Sequence, residues 1–545
     1  MEQGIFMVIQ LDSEENYWKL YSDYDPEIIS KIKSLRDRIW IPATNNSRGY
    51  WKVSKQYTHE DLEKLLNKDI FLCENARNTE ISKIPKFTHN ILFDFQVDAI
   101  NRLLIKKKHI LADEMGLGKS AMSICGAHHL LTNNIIEKII IICPKSLKMQ
   151  WKNEIMKWTK TTEDDICIIE GSKTKRSNLY LSNSKWMIVN YEQLRCDLPK
   201  ISIHSVMIFD EASKLKNNST KIYEIVYSAY YGMDYVWLLT GTPIENSLEN
   251  FFNLINIVNH NFMKKFEFYR DYVVFDNLKL KDRTIRVPTG YTNIQDFKMK
   301  ALPYYTRREK KDVASHLLPK NIEIRNIELT KEQEKIANSI YDYIEQLENE
   351  SEENKGKYQL VALSLLRSIA SHPQSLLESE SDLAKQCYNQ EARTNKIDEV
   401  RDIIDDNNGK IIIFTEFARS ARILAEELKE YKPVVITGGM DSTAEIDRFK
   451  KDDSLRLLIM TNVGAYGLSI DEADTAIIYD LPWNPAVLKQ KEDRIYRINS
   501  TRQKSIIYLI SGIEHRIYDI IIKKQELFDN TVVPTRLISQ LIKRG

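Results

Sequence analysis

Short apolar runs recur along the chain, and each ends on polar or turn-forming residues. HILA (109–112), KIIIICP (138–144), WMIVNY (186–191), SVMIFDE (205–211) and YVWLLTG (235–241) make one set. KIIIFTEF (410–417), PVVITG (433–438), LRLLIM (455–460), TAIIYDLP (475–482) and SIIYLI (505–510) make a second. Runs without polar alternation, separated by helix-length segments, predict strands buried on both faces of parallel sheets. Polar residues gather after the C-terminal ends of these runs, where open α/β sheets bind ligands. The expected fold class is therefore α/β, with two tandem parallel-sheet lobes.

The rest of the chain reads differently. Residues 246–390 are more helical in pattern, and the acidic stretch EQLENESEENKGK (345–357) reads as a solvated connection. In the first 85 or so residues, RIWIPATNNSRGYWKVS (38–54) predicts two short strands around an Asn/Ser/Gly turn, after a helical run. This gives an N-terminal α+β accessory domain over 1–86, a first lobe with a helical insertion over 87–320, and a second over 321–545.

Composition narrows the partners. A chain of 545 residues is too long for one core, and its net charge of +1 means that any affinity for nucleic acid must come from local patches. Cys73, Cys125, Cys143, Cys167, Cys196 and Cys387 show neither a close pair nor zinc spacing. Without a membrane-length apolar run or a basic-then-apolar leader, the expectation is an intracellular protein with no membrane partner.

Candidate chemistry starts at HILADEMGLGKSAMSIC (109–125). Gly116 and Gly118 let a loop turn its N–H groups toward phosphate oxygens. Lys119 then reaches the outer phosphates, and Ser120 offers a hydroxyl to Mg²⁺ at a helix N-terminus. Gly-Lys-Ser alone is weak, and Asp113 stands where a phosphate loop usually begins with glycine. The second cluster, MIFDEAS (207–213), decides the reading. There a strand delivers Asp210, suited to the Mg²⁺ shell, and Glu211, suited to orienting or deprotonating the attacking water.

DEMGLGKS, PKSLKMQW (144–151), DEAS with KLKN (214–217), LLTGTPIEN (238–246), DLPWNP (480–485) and QKEDRIYR (490–497) resemble the motif series of Swi/Snf-type ATPases of helicase superfamily two. The likeness covers roughly residues 90–525 and implies two RecA-like lobes, ATP and Mg²⁺ as cofactors, and translocation on duplex DNA. It makes Asp113 a family feature of the loop that also holds Glu114, Met115, Leu117 and Ala121. By resemblance, Gln96 reads the adenine edge, and Thr240 and Thr242 couple hydrolysis to strand contacts. Gly467, in TNVGAYGLSI (461–470), touches the nucleotide, although Ala465, Ser469 and Ile470 depart from the family's usual form. Gln490, Arg494 and Arg497 belong to the arginine-finger motif, with the two arginines three apart on one face of an expected helix. The segments TRREKKDVASHLLPK (306–320) and LLRSIASHP (365–373) also resemble family regions but receive no chemistry.

Lys145, Lys148 and Trp151 are candidate phosphate contacts. In the N-terminal region Arg36, Arg38 and Trp40 suit phosphate and base-stacking contacts, and the region loosely resembles the HARP-type domain of annealing helicases. Double-stranded or branched DNA is then the expected partner. Two alternatives stay open: a strand-separating RNA or DNA helicase, or a nucleic-acid-binding scaffold with an inactive ATPase.

Overall fold

β-branched and apolar residues with no polar alternation leave a strand only one stable place, inside a sheet covered on both faces. The computed structural model describes residues 9–13, 17–21, 26–42, 50–57, 59–66, 70–72, 91–197, 201–230, 232–241, 247–279, 284–350, 355–378, 384–385, 392–438, 442–461 and 470–530. The chain divides into two compact units, one of residues 1–114 with 118–309 and one of residues 115–117 with 310–545.

The first unit begins with a mixed sheet. Strands β1 (Ile9–Ser13), β2 (Tyr17–Tyr21), β3 (Ile39–Ile41), β4 (Tyr50–Ser54) and β5 (Ile70–Leu72) stand in the order β3-β4-β2-β1-β5. The expected strand pair is β3 with β4, antiparallel, with Trp40 opposite Trp51. Helix Pro26–Ser34 precedes it as expected. Alternation along β2 and β4 turns Trp18, Leu20 and Val53 to one face, where Ile28, Ile32, Leu62, Leu65 and Leu66 of two helices bury them. This small core is tied to helix Asp94–Lys106 by a buried pair, Arg102 Nη1 to Asp61 Oδ1 at 3.0 Å.

Next come β6 (Lys108–Leu111), β7 (Lys138–Cys143), β8 (Ile166–Ile168), β9 (Trp186–Asn190), β10 (Ser205–Phe209) and β11 (Tyr235–Leu239). The helical insertion then carries an antiparallel ribbon of β12 (Val273–Lys279) and β13 (Thr284–Tyr291), which the helical pattern of that region did not predict. After it β14 (Tyr305–Thr306) completes an all-parallel sheet in the order β14-β6-β11-β10-β7-β9-β8. The insertion is cemented by aromatic rings: Phe252 stacks on Phe268 at 4.3 Å, and Phe262 meets Phe297 edge-on at 5.7 Å.

In the second unit β15 (Asn321–Ile327), β16 (Lys410–Thr415), β17 (Val434–Ile436), β18 (Leu457–Thr461), β19 (Ala473–Ile478) and β20 (Ser505–Ser511) form a parallel sheet in the order β15-β20-β19-β16-β18-β17. Every predicted run of both sets is a strand. The acidic stretch expected as a connection differs: helix Lys331–Glu350 runs through 345–350, and 351–354 lie outside the described residues. Alternating apolar positions along that helix bury Ile336, Ile340 and Ile344 against helix Lys355–Ser371, which outweighs the polar composition of its last turns. No helix among the described residues is long and apolar enough to cross a membrane.

One buried group makes stability depend on pH. His109 on β6 is 1% exposed, with Nε2 2.8 Å from Thr306 Oγ1 on β14. Burial, with help from nearby cations led by Lys106, pushes its pKa well below the ordinary 6.5, so the folded state holds it neutral. The unfolded chain takes up the proton near pH 6.5, so the stability is full above that pH and lost as the pH falls below it. His260 and His372, both pushed to about 4 by burial, add to the same trend. We predict a melting temperature lower at pH 5.5 than at pH 7.5. His109→Gln should remove about 1.4 kcal/mol of that difference, one unit's worth, measured by scanning calorimetry at both pH values.

Candidate functional site

The site is assembled at the C-terminal edge of the first unit's sheet. Leu238 on β11 is in register with Ile110 on β6 and with Phe209 on β10. The loop after β6 and the acids after β10 therefore emerge two strands apart, about 10 Å by sheet spacing. Gly116 and Gly118 adopt φ +79° and +86°, the left-handed region that side chains disfavour. Gly118 caps helix Lys119–Thr132. A Cβ on Gly118 would also lie 2.6 Å from Gln96 Nε2, so a side chain there would push the Gln96 amide aside as well as strain the backbone.

Lys119 folds across the loop and donates to the carbonyls of Asp113 at 2.6 Å and Glu114 at 3.1 Å. Ser120 and Ala121 follow on the first turn of the helix, Ala121 buried and Ser120 half-buried. Glu114 and Met115 are half-buried and Leu117 is fully buried. Gln96, buried at 5% exposure, is no surface residue: its Oε1 accepts from Phe93 N at 3.1 Å. Its amide nitrogen faces the loop.

Asp113 needs correction as a nucleotide-binding side chain. It has no exposure, and its Oδ1 accepts from Arg308 N at 2.9 Å while its Oδ2 lies 3.3 Å from Arg308 Nη1. Arg308 also pairs with Asp98. Burial pushes the Asp113 pKa up, and the Arg308 guanidinium opposes that. The acid thus braces the loop from within. Arg308, assigned no chemistry from the sequence, is the residue that reasoning missed.

At the end of β10, Asp210 Oδ2 accepts from Trp151 Nε1 at 2.9 Å, and Oδ1 from Glu211 N at 3.0 Å. The Asp210 carbonyl accepts from Tyr191 Oη at 2.6 Å. Trp151 is 2% exposed and so is an orienting donor for Asp210, not a nucleic-acid contact. Lys148 is corrected likewise: at 2% exposure its ammonium donates to Ile169 O and Gln193 Oε1, both at 2.7 Å. Lys145, one turn earlier, is exposed. Thr240 is buried at 1% exposure and presents no hydroxyl to a strand, while Thr242 and Gly467 lie outside the described residues. Glu211 sits at φ +50°, a strained conformation for a non-glycine residue, of the kind that collects at functional sites.

The donor set fits a nucleotide with its metal. The loop offers glycine-flanked N–H groups, an ammonium and a helix N-terminus, the arrangement that holds phosphates. Asp210, oriented by Trp151 Nε1 and Glu211 N, and the Ser120 hydroxyl are hard oxygen donors of the kind a divalent cation takes.

In the second unit, helix Pro485–Glu492 carries Gln490 and ends at Asp493. Arg494 and Arg497 do not share a helical face, because the chain turns there through Arg494 N to Lys491 O at 3.2 Å. Arg494 is 6% exposed, and Arg497 Nε lies 4.0 Å from Asp471 Oδ1. The preceding loop is clamped by Arg367, whose Nη2 donates to Leu481 O at 2.6 Å and whose guanidinium lies 4.8 Å from the Trp483 ring centroid.

In the N-terminal domain, Arg36 is corrected. Its guanidinium donates to Asn261 O and lies 5.7 Å from the Phe262 ring, which makes it a tether inside the first unit. Arg38 is exposed, and Trp40 is 49% exposed with its ring 5.2 Å from that of Trp51.

Substituting Arg308 by Ala leaves Asp113 buried without its cation, a change that costs about 3–5 kcal/mol when a buried pair is broken. We predict a lower melting temperature, with the loss largely recovered in Arg308→Ala/Asp113→Ala. An Arg308→Ala protein as stable as the parent would remove the bracing role.

Residues 95–375 match the model of the SNF2-related domain, and residues 395–499 that of the helicase conserved C-terminal domain. The chain is similar to chromodomain-helicase-DNA-binding protein 6 of Rattus norvegicus, 28% identical over 93% of this chain and 19% of that protein. It is also similar to chromodomain-helicase-DNA-binding protein 7 of Homo sapiens, 26% identical over 84% of this chain and 17% of that protein. The chain thus spans about a fifth of the length of these relatives. A solved structure, the Sulfolobus solfataricus SWI2/SNF2 ATPase core in complex with dsDNA, is 23% identical over 84% of this chain and 95% of its own, with a TM-score of 0.39. Because the first of these models spans more than half of the 545 residues and the second comes after it in order, the chain belongs to the SNF2-related ATPase family of helicase superfamily two.

Proposed function

We propose that the protein is a DNA-stimulated ATPase that translocates on double-stranded DNA, remodelling branched DNA or protein–DNA complexes. The observation that carries the reading is the pairing, on one sheet edge, of a glycine-turned loop holding Lys119 with an acidic pair, Asp210 and the strained Glu211. A nucleotide site needs cations and N–H groups for phosphates on one side and carboxylates for metal and water on the other. The names of the relatives, helicase and DNA-binding proteins, favour DNA as the partner.

In this reading Lys119 and the loop N–H groups hold the phosphates, and Ser120 and Asp210 hold Mg²⁺, which neutralises charge on the phosphates when bound. Glu211 orients the attacking water and takes its proton. Trp151 keeps the Asp210 carboxylate in one rotamer. Arg494 and Arg497 supply positive charge to the transferring phosphoryl group, an effect worth about 10³–10⁵ in rate. We predict that Lys119→Ala abolishes turnover with duplex DNA present. Glu211→Gln should keep ATP affinity within about threefold and lower kcat at least about a hundredfold, the size of general-base effects. Phosphate release and binding of a fluorescent ATP analogue measure the two. Native turnover in Glu211→Gln would displace the acid from its role.

The finer reading, recognition of branched DNA, rests on the N-terminal domain's exposed Arg38 and half-exposed Trp40. Deleting the domain is a poor probe, because Arg102 would lose its buried partner Asp61. In the intact protein, Arg38→Glu should weaken forked-DNA binding more than linear-duplex binding and flatten the salt dependence by about one phosphate contact. Equal weakening on both DNAs would leave the domain no role in choosing the fork.

A further inference from the structure

The turn that carries Arg494 and Arg497 is held by a side chain from far along the sequence. Lys310 is 4% exposed, and its ammonium bonds to Asp493 and to the carbonyl of Tyr496, the latter at 2.7 Å. It also lies 4.8 Å from the centroid of the Tyr496 ring. Asp493, likewise 4% exposed, immediately precedes Arg494, and Tyr496 immediately precedes Arg497. One cation therefore grips the residue before each arginine. Two neighbours repeat the pattern at the flanks: Lys320 pairs with Glu492, and His316 Nε2 lies 2.8 Å from Ile498 O. All of these residues belong to the second unit.

Local bonding alone fixes this stretch weakly. Helix Pro485–Glu492 has ended, and the turn is closed by short-range backbone bonds such as Arg494 N to Lys491 O and Tyr496 N to Glu492 O, with one bond from farther off, Ile470 N to Arg494 O at 3.1 Å. The direction of each arginine then depends on what holds the backbone between them. A displacement of about 1 Å in a positioned catalytic group costs on the order of a hundredfold in rate.

We infer that Lys310 is a positioning residue for the arginines: it locks residues 493–497 in the conformation that aims Arg494 and Arg497 at the transferring phosphoryl group. The inference rests on the reading of those arginines proposed above. It gives the segment 306–320, which the sequence left without chemistry, a part in each unit. Arg308 braces the phosphate loop in the first unit, and Lys310 sets the arginine turn in the second.

The test uses the full-length protein saturated with duplex DNA. Lys310→Met alone strips the buried Asp493 of its lysine, so the decisive variant is Lys310→Met/Asp493→Leu, which removes both charges and spares stability. Lys310→Arg is the second variant, since a planar fork does not reproduce the two-acceptor geometry of an ammonium. We expect both to melt within a few degrees of the parent and to bind an ATP analogue within about twofold of it. The double variant should lose about thirty- to a hundredfold in kcat with KM little changed, and Lys310→Arg should fall between it and the parent. A native kcat in either variant overturns the inference. So does a loss of activity that merely tracks the folded fraction, which would make Lys310 a structural brace. Should the parent itself release no phosphate, the ATPase reading fails instead.

Discussion

A carboxylate with no exposure to solvent, Asp113, sits where β6 gives way to the phosphate loop, and the architecture of the first unit turns on satisfying it. A buried acid needs a hydrogen-bonded cation, or it neutralises. Arg308 supplies both a backbone N–H and a guanidinium. To do so, the chain must return alongside β6 after the whole helical insertion, and it does so as β14, whose Thr306 carbonyl accepts from Ala112 N at 2.7 Å. The shape of the loop and the edge of the sheet meet at this one ion pair.

The same logic of buried polar groups recurs at the elements proposed to be catalytic. Trp151 and Tyr191 fix Asp210, Arg367 fixes the loop before helix Pro485–Glu492, and Lys310 fixes the turn beyond it. In each case a residue outside the proposed chemistry holds a side chain or a stretch of backbone next to it. The core strands around them are apolar on both faces, so specificity in the site comes from these few polar bonds, each worth more where water is excluded.

The central strands and the loop were legible because their signals are local. KIIIIC and KIIIFT are continuous apolar runs that only a doubly covered strand explains, and glycines with Lys119 stand adjacent in sequence. Three edge strands were not legible. β8 has three residues and β14 has two, and β15 alternates polar residues with isoleucines that stay exposed, Ile322 at 48% and Ile324 at 42%. The ribbon of β12 and β13 was hidden inside a region whose overall pattern is helical. Arg308 and Lys310 read as solvated charges because their partners, Asp113 and Asp493, lie 195 and 183 residues away. Trp151 misled in the opposite sense: an aromatic between lysines suggests a nucleic-acid surface, yet its indole is spent on Asp210.

Coupling of hydrolysis to movement along an intact duplex is the claim on which the account stands. The most direct measurement is displacement of a fluorescent third strand from a DNA triplex, monitored with ATP, with a non-hydrolysable analogue, and with duplexes whose own strands are labelled. The account predicts that ATP alone drives release of the third strand while the underlying duplex stays paired. Separation of the duplex strands, or third-strand release that proceeds equally with the non-hydrolysable analogue, would contradict it.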